Sequence, residues 1–155
     1  MIKALNTNYK GYRFRSRLEA RWAVFLDRMK IRYSYEPVGV ELPSGLCYLP
    51  DFYLPDFNMF IEVKGPLVGE KDTQKIIEFV KESRVPVILL DSDPDMSMYS
   101  TITPSEEDEG YCITYTKLVP QKGEGVFKFE KLTNYTPEYR EAMNAARAER
   151  FSVYV

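Results

Sequence analysis

At 155 residues, with 45% hydrophobic, 28% charged and 14% aromatic, the chain has the composition of a folded protein and the length for one sizeable core, not two ordinary domains. It contains no histidine, which removes Ser-His-Asp and Cys-His nucleophiles and every histidine-ligated metal, so any chemistry falls to carboxylates, lysine or tyrosine. The net charge of -2 hides an asymmetry: the first 35 residues carry nine Lys or Arg against Glu19 and Asp27, while the remaining 120 carry a net -9, so a polyanion partner would meet the first part unless its charges form a merely solvated face.

Ser16 to Lys30 carries Leu18, Trp22, Phe25, Leu26 and Met29 at spacings of three and four, which predicts a helix, with Ser16 and Glu19 as a capping box at its start. "IRYSYE" and "GVEL", followed by "PSG", are short β-rich runs bounded by turn formers. Tyr48 to Leu54 and Met59 to Lys64 predict a hairpin about "PDFN". Asp72 to Ser83 places Ile76, Ile77 and Val80 at helical spacing, and the apolar "VPVILLD" predicts a buried strand. Strand, helix and strand in succession imply a right-handed crossover beside the hairpin.

From Ser92 to Gly110 the text turns to Asp, Ser, Pro and Glu, including "SEEDEG", and reads as an acidic surface loop. "YCITYTK" and "GVFKFEK" read as a strand pair, and Thr136 with Pro137 opens a C-terminal helix. A single domain over 1–155 is expected, its core near residues 12–91, with the acidic loop, strand pair and helix in 92–155. Cys47 and Cys112, far apart, suggest reduced core thiols and no disulfide or zinc framework. No apolar run approaches the roughly 20 residues that span a bilayer, and the Met-Ile-Lys-Ala start lacks a signal peptide's apolar stretch, so a cytoplasmic location without a membrane partner is expected.

The stretch "LPDFYLPDFNMFIEVKG" repeats Leu-Pro-Asp-Phe and so offers two aspartates. A hairpin turning between Asp56 and Phe57 sets Asp51 opposite Glu62, where Cβ atoms lie roughly 4.5–5.5 Å apart and like charges repel. A hard divalent cation gives such a pair a purpose, since Mg²⁺ is held by one or two carboxylates and keeps other positions open for water and phosphate oxygens. Lys64, two residues beyond Glu62, shares its strand face. Asp56 falls in the turn, where Asp is favoured for backbone hydrogen bonds, so Asp51 is assigned to chemistry and Asp56 to structure. A register shift of one residue would reverse the faces.

Pro50-Asp51, ten residues, then Glu62-Val63-Lys64-Gly65, behind a helix bearing "FRSRLEARWA" with Glu19, resembles the PD-(D/E)XK nuclease superfamily over roughly residues 12–91. The helix start is similar to small phage and prokaryotic members and to transposon-end endonucleases and Holliday junction resolvases. The resemblance implies an α/β fold with a restriction-endonuclease-like core, a mixed central sheet flanked by helices in the order α-β-β-β-α-β. It implies a metal-dependent deoxyribonuclease, an endonuclease that hydrolyses DNA phosphodiester bonds to a 5′-phosphate and a 3′-hydroxyl. Asp51 and Glu62 would bind the catalytic Mg²⁺ or Mn²⁺, with the Val63 carbonyl and Glu19 as further metal-site groups. Lys64 would orient or deprotonate the attacking water and steady the developing charge. The ion's roles would be to lower the water's pKa and clamp the reacting oxygens.

Other residues carry two readings each. A capping box accounts for Glu19 without chemistry, yet Glu19 borders the apolar stripe, and an inward carboxylate needs a partner. Arg13, Arg15, Arg17 and Arg21 are candidates for phosphate contacts, with Tyr9, Tyr12 and Phe14 interleaved as stacking groups or as ordinary packing. Lys71, Gln74 and Lys75 open the second helix, where a phosphate or plain solvent suits them. DNA is the expected partner, and cutting both strands calls for a homodimer, a partner nuclease or a replication protein. Two rivals use the same residues differently: a catalytically silent nucleic-acid-binding or accessory subunit of this fold, and an acidic interaction or inhibitor protein. The complete Glu19, Asp51, Glu62 and Lys64 set speaks against the first, because binding does not need the lysine at that spacing, and would be accidental in the second.

Overall fold

The computed structural model describes residues 5–64, 69–95, 99–120, 127–130 and 136–153. In chain order its elements are β1 (Thr7–Tyr9), β2 (Tyr12–Phe14), α1 (Arg17–Arg28), β3 (Ser34–Tyr35), β4 (Val40–Glu41), β5 (Cys47–Tyr48), β6 (Phe52–Leu54), β7 (Met59–Val63), α2 (Glu70–Ser83), β8 (Val87–Leu90), β9 (Tyr99–Pro104), β10 (Tyr111–Pro120), β11 (Phe127–Glu130), α3 (Pro137–Ala148) and β12 (Ser152–Val153). The protein is mixed α/β, with a seven-stranded sheet ordered β11-β10-β9-β8-β7-β6-β3.

Helix α1 starts where Ser16 takes an extended conformation and its Oγ accepts the Glu19 N–H at 3.1 Å; a serine cap of this kind contributes about 1 kcal/mol. Its apolar stripe buries Trp22, Phe25 and Leu26. Trp22 stacks edge-on against Phe25 and Tyr99, and its Nε1–H donates to the Ser92 carbonyl at 2.9 Å. Helix α3 packs beside α1 because Ala142 and Ala146, one turn apart, are fully buried and admit close approach, with Phe25 edge-on to Tyr139 at 5.1 Å.

The sheet separates two apolar layers. Alternation along β7 sends Ile61 and Val63 into the cluster that contains α1 and α3 side chains, and Phe60 towards Ile76, Phe79 and Val80 of α2. Strands β7 and β8 are parallel and joined through α2, whereas the other neighbouring strands pair antiparallel. A smaller sheet, β12-β1-β2, ties the C-terminal segment to the N-terminal one. Its β1–β2 turn places Lys10 and Gly11 at φ 44 and 80, the left-handed pair that a two-residue hairpin of matching twist requires.

Several expectations change. Tyr48 to Leu54 is not one strand: Pro50, with no N–H to give a ladder, separates β5, which pairs with β4, from β6, which pairs with β7 and β3. Ser92 to Gly110 is not all loop, because "YSTITP" forms β9 and buries Tyr99, Thr101 and Ile102 inside the polar text. The two cysteines are exposed, not core thiols: Cys47 alternates with the buried Tyr48 and so faces outward. The expected strand pair exists as β10 with β11, in register Lys117↔Glu130. Gly125, Val126 and Lys131, within that expected pair, lie outside the described residues. Among the described residues no helix is long and apolar enough to cross a membrane.

Phe25 is 1% exposed at the α1–α3 contact. Phe25→Ala is therefore expected to lower unfolding free energy by about 3–5 kcal/mol. Arg28→Ala, removing an exposed pair with Glu141 across the same two helices, is expected to lower it by less than about 1 kcal/mol. Urea titrations of both variants test this, and equal losses would show that the interface is held by its charges.

Candidate active site

The pairing of β6 with β7 brings the site together. Phe52 lies opposite Ile61, Tyr53 opposite Phe60 and Leu54 opposite Met59, so one further step of the ladder sets Asp51 beside Glu62. The Pro55–Asn58 turn holds this register, with Asn58 at φ 50 and the Phe57 N–H bonded to the Leu54 carbonyl at 3.2 Å. Asp51 is fixed from two sides: its Oδ2 accepts the Val63 N–H at 2.7 Å, and its carbonyl accepts the Glu36 N–H at 2.7 Å. Val63 thus meets Asp51 through its amide. Asp56 stays in the turn and pairs with Arg32, Nε to Oδ2 at 3.1 Å.

Glu62 is 4% exposed. Its Oε2 accepts the Tyr48 hydroxyl at 2.9 Å, and the Lys64 Nζ stands 3.1 Å from Oε1. Glu19 is 5% exposed on α1. Its Oε2 accepts the Ser16 hydroxyl at 2.6 Å and its Oε1 the Tyr35 hydroxyl at 2.8 Å. Ser16 and Glu19 therefore form half of the expected capping box: the serine caps the Glu19 N–H, but the glutamate bonds the serine side chain. Tyr35 is brought there by its pairing with Phe52, next to Asp51. Each buried glutamate thus rests on one tyrosine hydroxyl.

These carboxylates share a low-dielectric setting. Burial pushes Asp51 from its ordinary 3.8 up to about 9, and the negative charges of Glu62 and Glu19 add to the shift. Burial likewise raises Glu62, against the opposing pull of Lys64 and Tyr48. For Lys64, burial acts to lower the amine, but the Glu62 carboxylate outweighs it and the net shift is upward. Burial, then the neighbouring Glu62 charge, raise the Tyr48 phenol, so it remains a donor.

Three acidic side chains, Glu19, Asp51 and Glu62, stand with one basic one, Lys64, in largely buried surroundings. Buried charge of that kind is unfavourable unless it is compensated. The donor set fits a hard divalent cation in charge and in atom type, all-oxygen and anionic. Among the described residues, no three acidic, cysteine or histidine side chains are gathered into a ready cage. Mg²⁺ does not need one, since it is commonly held by one or two carboxylates and water.

No protein-family model matches this sequence, and no curated protein matches it significantly. The assignment of function therefore rests on the residues themselves.

The basic residues are more dispersed. Arg13 is exposed on β2, Arg15 pairs with Glu36, Arg17 is exposed at the start of α1, and Arg21 directs one nitrogen at both oxygens of Asp93, at 2.8 and 2.9 Å. On α2, Lys71 and Gln74 are exposed and Lys75 half-buried. These three stand on the helix that follows the motif strand, and Asp72 between them contributes to raising Lys64. Gly65, which closes the motif, lies outside the described residues. Sequence reasoning missed Tyr35 and Tyr48, whose partners lie 16 and 14 residues away; no local pattern signals a contact of that range.

A carboxyl whose pKa is higher folded than unfolded keeps its proton longer in the folded state. Its contribution is therefore complete below about pH 4 and declines as pH rises towards 9. The metal-free protein is expected to lose stability across that window, with Asp51 contributing a slope of up to about 1.4 kcal/mol per pH unit. Asp51→Asn should flatten the slope, and Mg²⁺ or Mn²⁺ should flatten it in the unaltered protein. Denaturant titrations from pH 5 to 9 in EDTA and in metal measure this; a slope of the opposite sign would mean that Asp51 stays ionised when folded.

Proposed function

We propose that this protein is a metal-dependent deoxyribonuclease of the PD-(D/E)XK type, an endonuclease acting on phosphodiester bonds. One observation carries the reading: Asp51 and Glu62 are brought side by side by the β6–β7 register, with Lys64 bonded to Glu62 from the same strand face. An exposed alternating strand face would place such residues in water, whereas Glu62 is 4% exposed. The order of α1, the strands through β7, α2 and β8 is compatible with the core that the sequence motifs suggest. The preference for DNA follows from the motif resemblance.

Each side chain has a definite task in this reading. When bound, Mg²⁺ or Mn²⁺ supplies Lewis acidity to the scissile phosphate and a more acidic water. Asp51 offers the oxygen not engaged by Val63, and Glu62 is oriented by Tyr48 so that its carboxylate cannot swing away. Glu19, held by Ser16 and Tyr35, adds negative charge from the α1 side. Lys64, whose amine is raised in pKa by Glu62 against the effect of burial, is a cation at neutral pH. It is thus better suited to orienting water and stabilising charge on the phosphoryl oxygens than to removing a proton. In the hydrolysis, water oxygen bonds to phosphorus and gives up one proton to solvent, the bond to the 3′ oxygen breaks, and that oxygen takes a proton from solvent and leaves as the 3′-hydroxyl.

The purified protein is expected to cut labelled DNA in Mg²⁺ or Mn²⁺ and not in EDTA. Asp51→Ala and Lys64→Ala should reduce the rate by at least about a hundredfold, the scale of losing a charged group that acts in the transition state, while Asp56→Ala should stay within about threefold. Duplex, single-stranded and branched DNA, with RNA alongside, define the substrate. Binding without cutting in any metal would replace this reading with that of an accessory subunit.

A further inference from the structure

Among the described residues, some arginines are paired with carboxylates and others are not. Arg15, Arg28 and Arg32 are each engaged by a carboxylate, Glu36, Glu141 and Asp56 respectively. Arg17, Arg147 and Arg150 have no carboxylate within ion-pair distance among the described residues, and all three are exposed. They are not scattered. Together with Arg21 they line one surface cleft of about 460 Å³, between the start of α1 and the end of α3, with Glu149 and Phe151 as its other notable walls.

Four guanidinium groups facing one cleft repel each other, and Glu149 is the one carboxylate among the residues that line it. Arg21 is partly neutralised by Asp93, yet its Nε is buried without a hydrogen-bond partner. Arg147, in the last turn of α3, also favours the helix dipole. That role does not extend to Arg150, which lies beyond the helix. The arrangement suits an anion that accepts several N–H donors in a fork, as phosphate does.

We propose that this cleft binds the phosphodiester backbone of a nucleic acid, on phosphates away from the one that is cut. This deepens the nuclease reading and rests on it for where the cut phosphate lies. Arg17 and Arg21 are one turn apart, and Glu19 lies about 200° round the helix from each. The cleft therefore occupies the outer flank of α1 while Glu19 points inward, buried. A phosphate in the cleft lies on the other flank of α1 from Glu19 and so is not the one that is cut. Such contacts position the backbone and carry no base information, so the cleft contributes affinity but no sequence preference.

Binding in EDTA isolates the cleft from catalysis. Fluorescence anisotropy with labelled duplex DNA of two unrelated sequences, at several salt concentrations, compares the unaltered protein with Arg147→Gln/Arg150→Gln, Arg150→Gln and the charge-matched Lys30→Gln/Lys81→Gln. The first double variant should bind both sequences at least about tenfold more weakly, with a salt slope shallower by about 0.9 for each phosphate no longer neutralised. Arg150→Gln alone should show part of that weakening with an unchanged melting temperature, separating the effect from any role of Arg147 in α3. The Lys30/Lys81 control should stay within about twofold. Equal weakening in control and test variants, or none in either, would overturn the cleft. Cleavage by the unaltered protein in Mg²⁺ is read separately: cutting with an unaffected Arg147/Arg150 double variant retires the cleft alone, and cleft-dependent binding without cutting retires the nuclease reading alone.

Discussion

The antiparallel pairing of β6 with β7 is the constraint on which the centre of this molecule depends. Once Phe52 stands opposite Ile61, Asp51 and Glu62 have no alternative but to be neighbours, and the pleat directs Lys64 to the side of Glu62. The apolar residues enforce this register. Ile61 and Leu54 are fully buried and Met59 nearly so, and a slip of one residue would turn that set towards the opposite layer. Apolar burial thus holds in place a polar arrangement that would not form on its own account.

That arrangement opposes folding in the absence of a cation. Three acidic side chains beside one basic one, with the two glutamates at 4% to 5% exposure, is a costly grouping by any solvation argument, and burial holds the proton on Asp51 in the metal-free site. The surroundings reduce the cost without removing it. Tyr48 and Tyr35 donate to Glu62 and Glu19, the Val63 amide donates to Asp51, and Ser16 joins Glu19 to the helix cap. All four donors belong to backbone or to side chains fixed by packing, so they restrict carboxylate rotation as well as satisfying lone pairs. The combination of strained electrostatics with firm orientation is what a site prepared for a charged ligand needs.

Much of this was legible because it is local. The spacing of Trp22, Phe25 and Leu26 announces α1, Pro-Asp-Phe-Asn announces the turn, and the turn fixes the hairpin register by counting. The contacts that lie outside local reach were not legible. Tyr48 meets Glu62 only because Pro50 breaks the chain between β5 and β6 and lets Tyr48 pair with Val40 instead. Tyr35 meets Glu19 because β3 joins the sheet edge beside β6. Strand β9 is obscured by its composition: Ser, Thr and Pro suggest a loop, although Thr and Ile alternate at strand period and bury Thr101 and Ile102. Residue type alone would turn Cys47 inward, and its alternation with Tyr48 decides otherwise.

The charge asymmetry of the sequence also acquires a different meaning once folded. Counted along the chain, the first 35 residues form a basic block and the rest an acidic one. In space the two blocks interpenetrate: Arg15 with Glu36, Arg21 with Asp93, Arg28 with Glu141 and Arg32 with Asp56 each join a cation of the first block to an acid of the second. Most of the apparent field of the N-terminal block is thereby cancelled within the protein, where screening by water leaves each exposed pair worth little. What survives is set by the residues that pairing leaves over. Arg17 from the basic block stands with Arg147 and Arg150 from the nominally acidic one, so this cationic cleft is built across the two blocks by the packing of α3 on α1. A net charge near zero and a locally cationic cleft are compatible for this reason, and position in the fold, not position in the sequence, decides which arginines remain available to an anion.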